Sequence, residues 1–246
     1  MKRAASRLGA AEVGKDETLQ WPDLSAEDMK TVRAVDQFTM TSVERRYHLL
    51  ESVRHLVKRG ISGAIVECGV WRGGSMMLVA QALRACQDTT RDLFLYDTFE
   101  GMPPPTEADK DFSGNSADAR MDADNDGKEA SLVWAIASLE DVKQHMATVG
   151  YPMERMHFVA GKVETTIPGT MPRQIALLRL DTDWYESTAH ELEHLYPLVV
   201  SGGVVIIDDY GYWKGARKAV DEFLAKTPDR ILLHRIDDTG RAFVKP

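Results

Sequence analysis

The chain has 246 residues, 43% apolar and 28% charged, which suits a globular domain and excludes a disordered chain. Thirty Lys and Arg against 38 Asp and Glu leave a net charge of −8, which argues against nucleic acid or an anionic membrane as a partner, since both ask for a basic surface. The two cysteines, Cys68 and Cys86, form no CxxC pair, which excludes a disulfide framework and a zinc ribbon and fits a reducing, cytoplasmic compartment.

The opening stretch MKRAASRLGAAEVGKDE is basic but has no apolar core, so a signal peptide is not expected. No stretch approaches the roughly 18 apolar residues of a membrane span. Residues 1–20 read as a small, polar tail, with Trp21-Pro22 as the first ordered point. Residues 1–37 are expected to form an arm ahead of one domain over 38–246. Thr41-Ser42-Val43-Glu44 has the form of a capping box. Val43, Tyr47, Leu50, Val53 and Val57 then recur at helical spacing up to Gly60, where a helix stops.

From Ala64 the pattern changes to short apolar runs: Ala64–Cys68, Leu93–Tyr96, Met156–Ala160, Ile175–Leu180, Val204–Ile207, Ile231–Leu233 and Ala242–Val244. Continuous runs predict strands covered on both faces. Helices are expected between them at Ser75–Ala85, Leu139–Val149, Tyr185–Tyr196 and Trp213–Lys226. The alternation predicts a Rossmann-like α/β fold with a mostly parallel, seven-stranded sheet and helices on both faces. Gly101–Lys128 breaks the rhythm, opening with Pro103-Pro104-Pro105, and reads as a lid.

Chemistry is expected at the strand ends. Ile65–Ser75 runs from an apolar strand through Glu67 into the glycine turn Gly69-Val70-Trp71-Arg72-Gly73-Gly74 and then a helix. Glycines let a ligand approach the backbone, and the helix start offers free N–H groups. The spacing is GxxxGG rather than the GxGxxG of a pyrophosphate site, and the acid suits a ligand with an amino group. Asp97 ends the next strand, where a carboxylate accepts from ribose hydroxyls. Two further strands end in acids, Asp181-Thr182-Asp183 and Asp208-Asp209. Parallel neighbours would bring these acids into one crevice, where they need protons or a cation. Oxygen ligands favour Mg²⁺ or Mn²⁺ over zinc.

Two other motifs compete. His190-Glu191-Leu192-Glu193-His194 matches HExxH, the zinc-hydrolase helix, but Pro197 and Val200 stand where the extended motif needs glycine and histidine. It reads as a chance amphipathic face, with a zinc hydrolase kept as an alternative. Asp122–Gly127 opens like an EF-hand loop, but the twelfth position is Val133 rather than an acid. An acidic lid is the expectation there.

The stretches VECGVWRGGS (66–75), LYDTFEGMP (95–103), LLRLDTDWYEST (177–188) and GGVVIIDDYG (202–211), with TSVERRYHLL (41–50) before them, resemble the macrocin-type, TylF-like O-methyltransferases. The resemblance spans roughly residues 38–227. It implies a class I methyltransferase that uses S-adenosylmethionine and Mg²⁺ to methylate a sugar hydroxyl on a glycosylated small molecule, and that assembles as a homo-oligomer. Carried over by position, it implies that Glu67 and Gly69 contact the methionine end of the cofactor and Asp97 its ribose. Trp71, Gly74, Ser75 and Phe99 join them as cofactor contacts. Asp181, Asp208 and Asp209 would hold the metal. For the base, Asp183 is favoured over Asp181, with His190 behind them. No role falls to Met40, Thr41 or Arg45. A catechol or other small hydroxyl acceptor, and a cofactor-binding module without turnover, are the remaining alternatives.

Overall fold

The computed structural model describes residues 20–124, 134–228 and 230–246. Of the tail expected over residues 1–20, residues 1–19 lie outside the described residues, as does most of the EF-hand-like stretch. In chain order the elements are α1 (Ala26–Arg33), α2 (Val43–Lys58), β1 (Ala64–Cys68), α3 (Gly74–Ala85), β2 (Leu93–Asp97), α4 (Ala117–Asp122), α5 (Leu139–Thr148), β3 (Met156–Ala160), α6 (Val163–Thr166), β4 (Ile175–Leu180), α7 (Tyr185–Leu195), β5 (Val199–Ile207), α8 (Lys214–Lys226), β6 (His234–Arg235) and β7 (Arg241–Val244).

The strands form one sheet in the order β3-β2-β1-β4-β5-β7-β6. β1 to β5 run parallel, and β7 returns antiparallel between β5 and β6. Successive side chains of a strand face opposite ways. Ile65, Leu93, Leu95, Leu177 and Ile206 therefore pack with α1, α2, α3 and α5. Val66, Cys68, Tyr96, Leu178, Leu180 and Ile207 pack with α7 and α8 on the other face. Connections leave β1 and β4 in opposite directions along the sheet. That is the switch point at which the carboxyl ends of such strands open a crevice.

Several boundaries differ from expectation, and β5 begins at Val199 rather than Val204. The arm is folded: Ser25 caps α1 by accepting from the Asp28 N–H at 3.1 Å, and Met29, Val32 and Val35 are buried. α2 is capped by Ser42 rather than Thr41, since the Ser42 hydroxyl accepts from the Arg45 N–H at 3.1 Å. Glu44 therefore closes no box and instead accepts from the Trp21 indole at 2.9 Å. The strand expected at Ile231–Leu233 forms three residues later as the exposed two-residue β6. It pairs with β7, in a register set by the Asp237–Gly240 turn.

The expected lid is not featureless. Lys110 bridges Ser116, Asp111 bridges Trp213, and α4 follows. Buried Asp109 accepts from the Thr106 and Tyr185 N–H groups, both at 2.8 Å. Buried Asp111 accepts from Asn115 and Arg120. The lid is thus sewn onto the starts of α7 and α8. A small apolar cluster of Met121, Trp184, Trp213 and Ala216 lies beneath it.

Candidate active site

A cavity of about 430 Å³ opens over the carboxyl ends of β1, β2, β4 and β5. One end is the glycine turn, with Gly69, Trp71 and Ser75 on the wall. Gly69 has φ +83, and a Cβ there would collide with the Asp181 carbonyl. Only glycine lets the two loops meet this closely. Asp97 also lines the cavity. Its Oδ2 accepts from the Val70 and Trp71 N–H groups at 2.7 and 3.0 Å, and its Oδ1 from that of Phe99 at 2.8 Å. One carboxylate therefore shapes the turn while still facing the cavity.

Three expected cofactor contacts are not on the wall. Glu67 is buried beneath it, paired with Arg179 across the β1–β4 register. Burial pushes its carboxyl up to about 7 even beside that guanidinium. Gly74 is where the Phe38–Thr39 backbone crosses α3, and a Cβ would strike it at 2.5 Å. Phe99 packs into the main core and offers only its N–H to Asp97.

The other end gathers the acids. Asp181, Asp208 and Asp209 each present an oxygen within 4.8 Å of the others. Arg179 reaches Asp181 at 2.8 Å and Asp208 at 2.7 Å. Arg45, from the first turn of α2, pairs with Asp208 as well and with Asp237 at 2.9 Å. Burial and the surrounding like charges raise Asp181 and Asp209 well above the carboxylate range, against the pull of the guanidinia. Asp183 sits beside them in a left-handed conformation, φ +67. Its carboxyl is pushed up to about 7 by burial, with hydrogen bonds from Asp209 and Trp213 acting the other way.

His190 is not part of this site. Its Nε2 faces the Ile167 carbonyl at 3.0 Å, and its ring lies 4.2 Å from that of His194. His190 does not line the cavity and so is not placed to act as a base there. Among the described residues, neither histidine belongs to a group able to hold a metal.

Several wall residues carried no sequence expectation. Thr39, Met40, Thr41 and Arg45 line the cavity from the N-terminal side, and Thr239 from the β6–β7 turn. Arg45 was legible in one respect: a cation in the first turn opposes the helix dipole, so its placement there needs another reason. Arg179 was legible too, as a charge inside the apolar run LLRL. Trp184, Tyr212 and Trp213 make an aromatic wall, with ring centroids 5.0 Å apart from Trp184 to Trp213 and from Tyr212 to Trp213.

A family model described as "Macrocin-O-methyltransferase (TylF)" matches residues 14–245. The chain belongs to this family. It is 35% identical over 202 residues to the 8-demethyl-8-(2,3-dimethoxy-alpha-L-rhamnosyl)-tetracenomycin-C 4'-O-methyltransferase of Streptomyces olivaceus, covering 82% of this chain and 73% of that one. It is 31% identical over 199 residues to the mycinamicin III 3''-O-methyltransferase of Micromonospora griseorubida, covering 81% and 73%. The solved structure of the O-methyltransferase NovP superposes with a TM-score of 0.73 at 33% identity, covering 85% of this chain and 82% of that one. This TylF-family chain is an O-methyltransferase with the class I S-adenosylmethionine-dependent fold. A zinc hydrolase is thereby replaced as a reading of HELEH. No helix among the described residues is long and apolar enough to cross a membrane.

Proposed function

We propose that this enzyme methylates a sugar hydroxyl of a glycosylated small molecule, using S-adenosylmethionine and a divalent cation, Mg²⁺ or Mn²⁺. The observation that carries the reading is the meeting of Asp181, Asp208 and Asp209 beside Asp183 at the switch point, opposite the glycine turn. The relatives' names place two of them on natural-product acceptors, one of them rhamnosylated.

The donor set suits a hard cation. It is all oxygen, and Asp209 Oδ2 is buried without a hydrogen-bond partner among the described residues. Glu67, Asp181, Asp183, Asp208 and Asp209 outnumber the two guanidinia among them, Arg45 and Arg179. Asp181, Asp208 and Asp209 would hold the ion, which when bound supplies Lewis acidity to an acceptor hydroxyl. Gly69, Trp71, Ser75 and Asp97 would hold the cofactor, which supplies the methyl group.

The chain's own residues do the rest. Asp183 takes the hydroxyl proton as the oxygen receives the methyl group. A carboxyl poised near neutrality is suited to that transfer. Arg179 fixes Asp181 and Asp208 in place. Trp184, Tyr212 and Trp213 exclude water and offer flat faces to an acceptor, and the segment over residues 101–124 covers that side. Thermal shift with S-adenosylhomocysteine, with and without Mg²⁺, tests the ligands, since binding only the native state raises Tm. Asp208→Asn should abolish metal-dependent turnover and leave S-adenosylhomocysteine binding intact. Full turnover of that variant in excess EDTA sinks the metal role. A panel of glycosides and catechols tests the acceptor, with turnover expected on glycosides.

A further inference from the structure

The HELEH segment holds an acid that the reaction described above leaves unused. Glu191 is 0% exposed, on the face of α7 that meets the sheet. Its Oε2 accepts from the Thr182 hydroxyl at 3.2 Å. Its Oε1 is shut away from water without a hydrogen-bond partner among the described residues, and the Cys68 thiol, which interacts electrostatically with the same carboxyl, lies in the core that this face of α7 covers. Cys68 is also fully buried, one residue before the Gly69 turn. Thr182 is the middle residue of the Asp181–Asp183 loop and lines the cavity. Two strand-end loops with different tasks therefore share one hidden side chain.

Those loops already touch. The Asp181 N–H donates to the Cys68 carbonyl at 2.8 Å, and Gly69 has no room for a Cβ against Asp181. A side chain wedged behind both sets their spacing. A leucine would fill this position without the desolvation cost that a carboxyl carries, so packing alone does not account for an acid. Burial pushes Glu191 well above the carboxylate range. A neutral carboxyl both donates and accepts, which suits a place between a hydroxyl and a thiol.

We propose that Glu191 is a positioning residue whose carboxyl, lodged between Thr182 and Cys68, clamps the Asp181–Asp183 loop to the Cys68–Gly69 turn and so fixes the acid end of the cavity against its glycine end. What each end binds rests on the function proposed above; the clamp itself rests on the packing.

Calorimetric titration of the full chain with S-adenosylhomocysteine and, separately, with Mn²⁺ tests it. Glu191→Ala should weaken Mn²⁺ binding about tenfold and S-adenosylhomocysteine binding about threefold. Thr182→Val should weaken Mn²⁺ binding in the same direction, and it carries the test if Glu191→Ala does not fold. Glu191→Gln, which keeps a neutral donor and acceptor in the same shape, should restore both affinities to within about twofold of the parent. Leu192→Ala, a core truncation on the same helix, should lower Tm and leave both affinities unchanged. The clamp is overturned if folded Glu191→Ala binds both ligands like the parent, or if Leu192→Ala weakens them equally. A parent that takes up no Mn²⁺ removes the metal reading instead, and the S-adenosylhomocysteine arm still decides the clamp.

Discussion

The lid and the crevice are both acidic, yet their acids sit in opposite surroundings. Residues 100–129 hold nine acids against three bases, and residues 181–209 hold seven acids with no Lys or Arg. In the lid, buried Asp109 and Asp111 face donors: the N–H groups of Thr106, Tyr185 and Asn115, and the Arg120 guanidinium. In the crevice, Asp181, Asp183, Asp208 and Asp209 face one another, with Arg45 and Arg179 as counter-ions. A carboxylate surrounded by donors stabilises the fold. A carboxylate surrounded by carboxylates opposes it, and is explained by the ligands it can hold. Charge counted along the sequence does not separate these cases; the partners do.

The comparison breaks most visibly at the base. Asp183→Asn should lower kcat by about 10²–10⁴-fold, the range of a lost proton acceptor, with Tm at neutral pH unchanged or raised. Steady-state kinetics beside calorimetry check this, and a fall in Tm would place Asp183 with the lid acids. Arg179→Met should act on stability instead. It strands Glu67, Asp181 and Asp208, and removing one partner from buried charges costs about 3–5 kcal/mol. Urea denaturation measures the loss, and Glu67→Gln in the same chain should recover part of it. Asp109→Ala should cost about 1–3 kcal/mol, because the Thr106 and Tyr185 amides lose their acceptor. Binding of S-adenosylhomocysteine should be unchanged in that variant.

How much of this could be read from the residues follows from range. Strands β1 to β5 and β7 were legible, because apolar runs and glycine turns are local signals, whereas β6 falls on the polar pair His234–Arg235 beyond the apolar run at 231–233. So was the convergence of Asp181, Asp208 and Asp209, because parallel strands end on the same side. The counter-ions were harder to read. Arg45 reaches Asp208 from a helix start far earlier in the chain, and its Asp237 anchor sits in a turn near the C-terminus. Glu67 looked like a ligand contact because it ends a strand. The β1–β4 register turns it toward Arg179 instead. HELEH reads as a chance amphipathic face, and helical spacing alone does not show that its first glutamate is on the fully buried side. The cap of α2 slipped by one residue because Thr41 and Ser42 carry the same chemistry, and the Asp237 carboxylate selects Ser42 by accepting from its hydroxyl at 2.6 Å.

The smallest predicted effect separates the two regions by sign. Hydrogen bonds from Asn115 hold Asp111 down to about 2, below the ordinary value near 4. The unfolded chain therefore takes up its proton first as pH falls. The stability Asp111 contributes is complete above that ordinary value and lost as pH drops toward 2. Burial holds Glu67 up at about 7, so there the native state binds the proton more tightly. Its contribution is complete below its ordinary value and lost as pH rises through 7. Tm measured in EDTA across this range should fall at both ends. Asp111→Asn should flatten the acid limb and leave the neutral one. Glu67→Gln should make the decline toward neutral pH shallower, with Asp183 and the other raised carboxyls keeping the remainder, and leave the acid limb. If either substitution flattens the opposite limb, the two regions are not the electrostatic opposites that their hydrogen-bond partners make them.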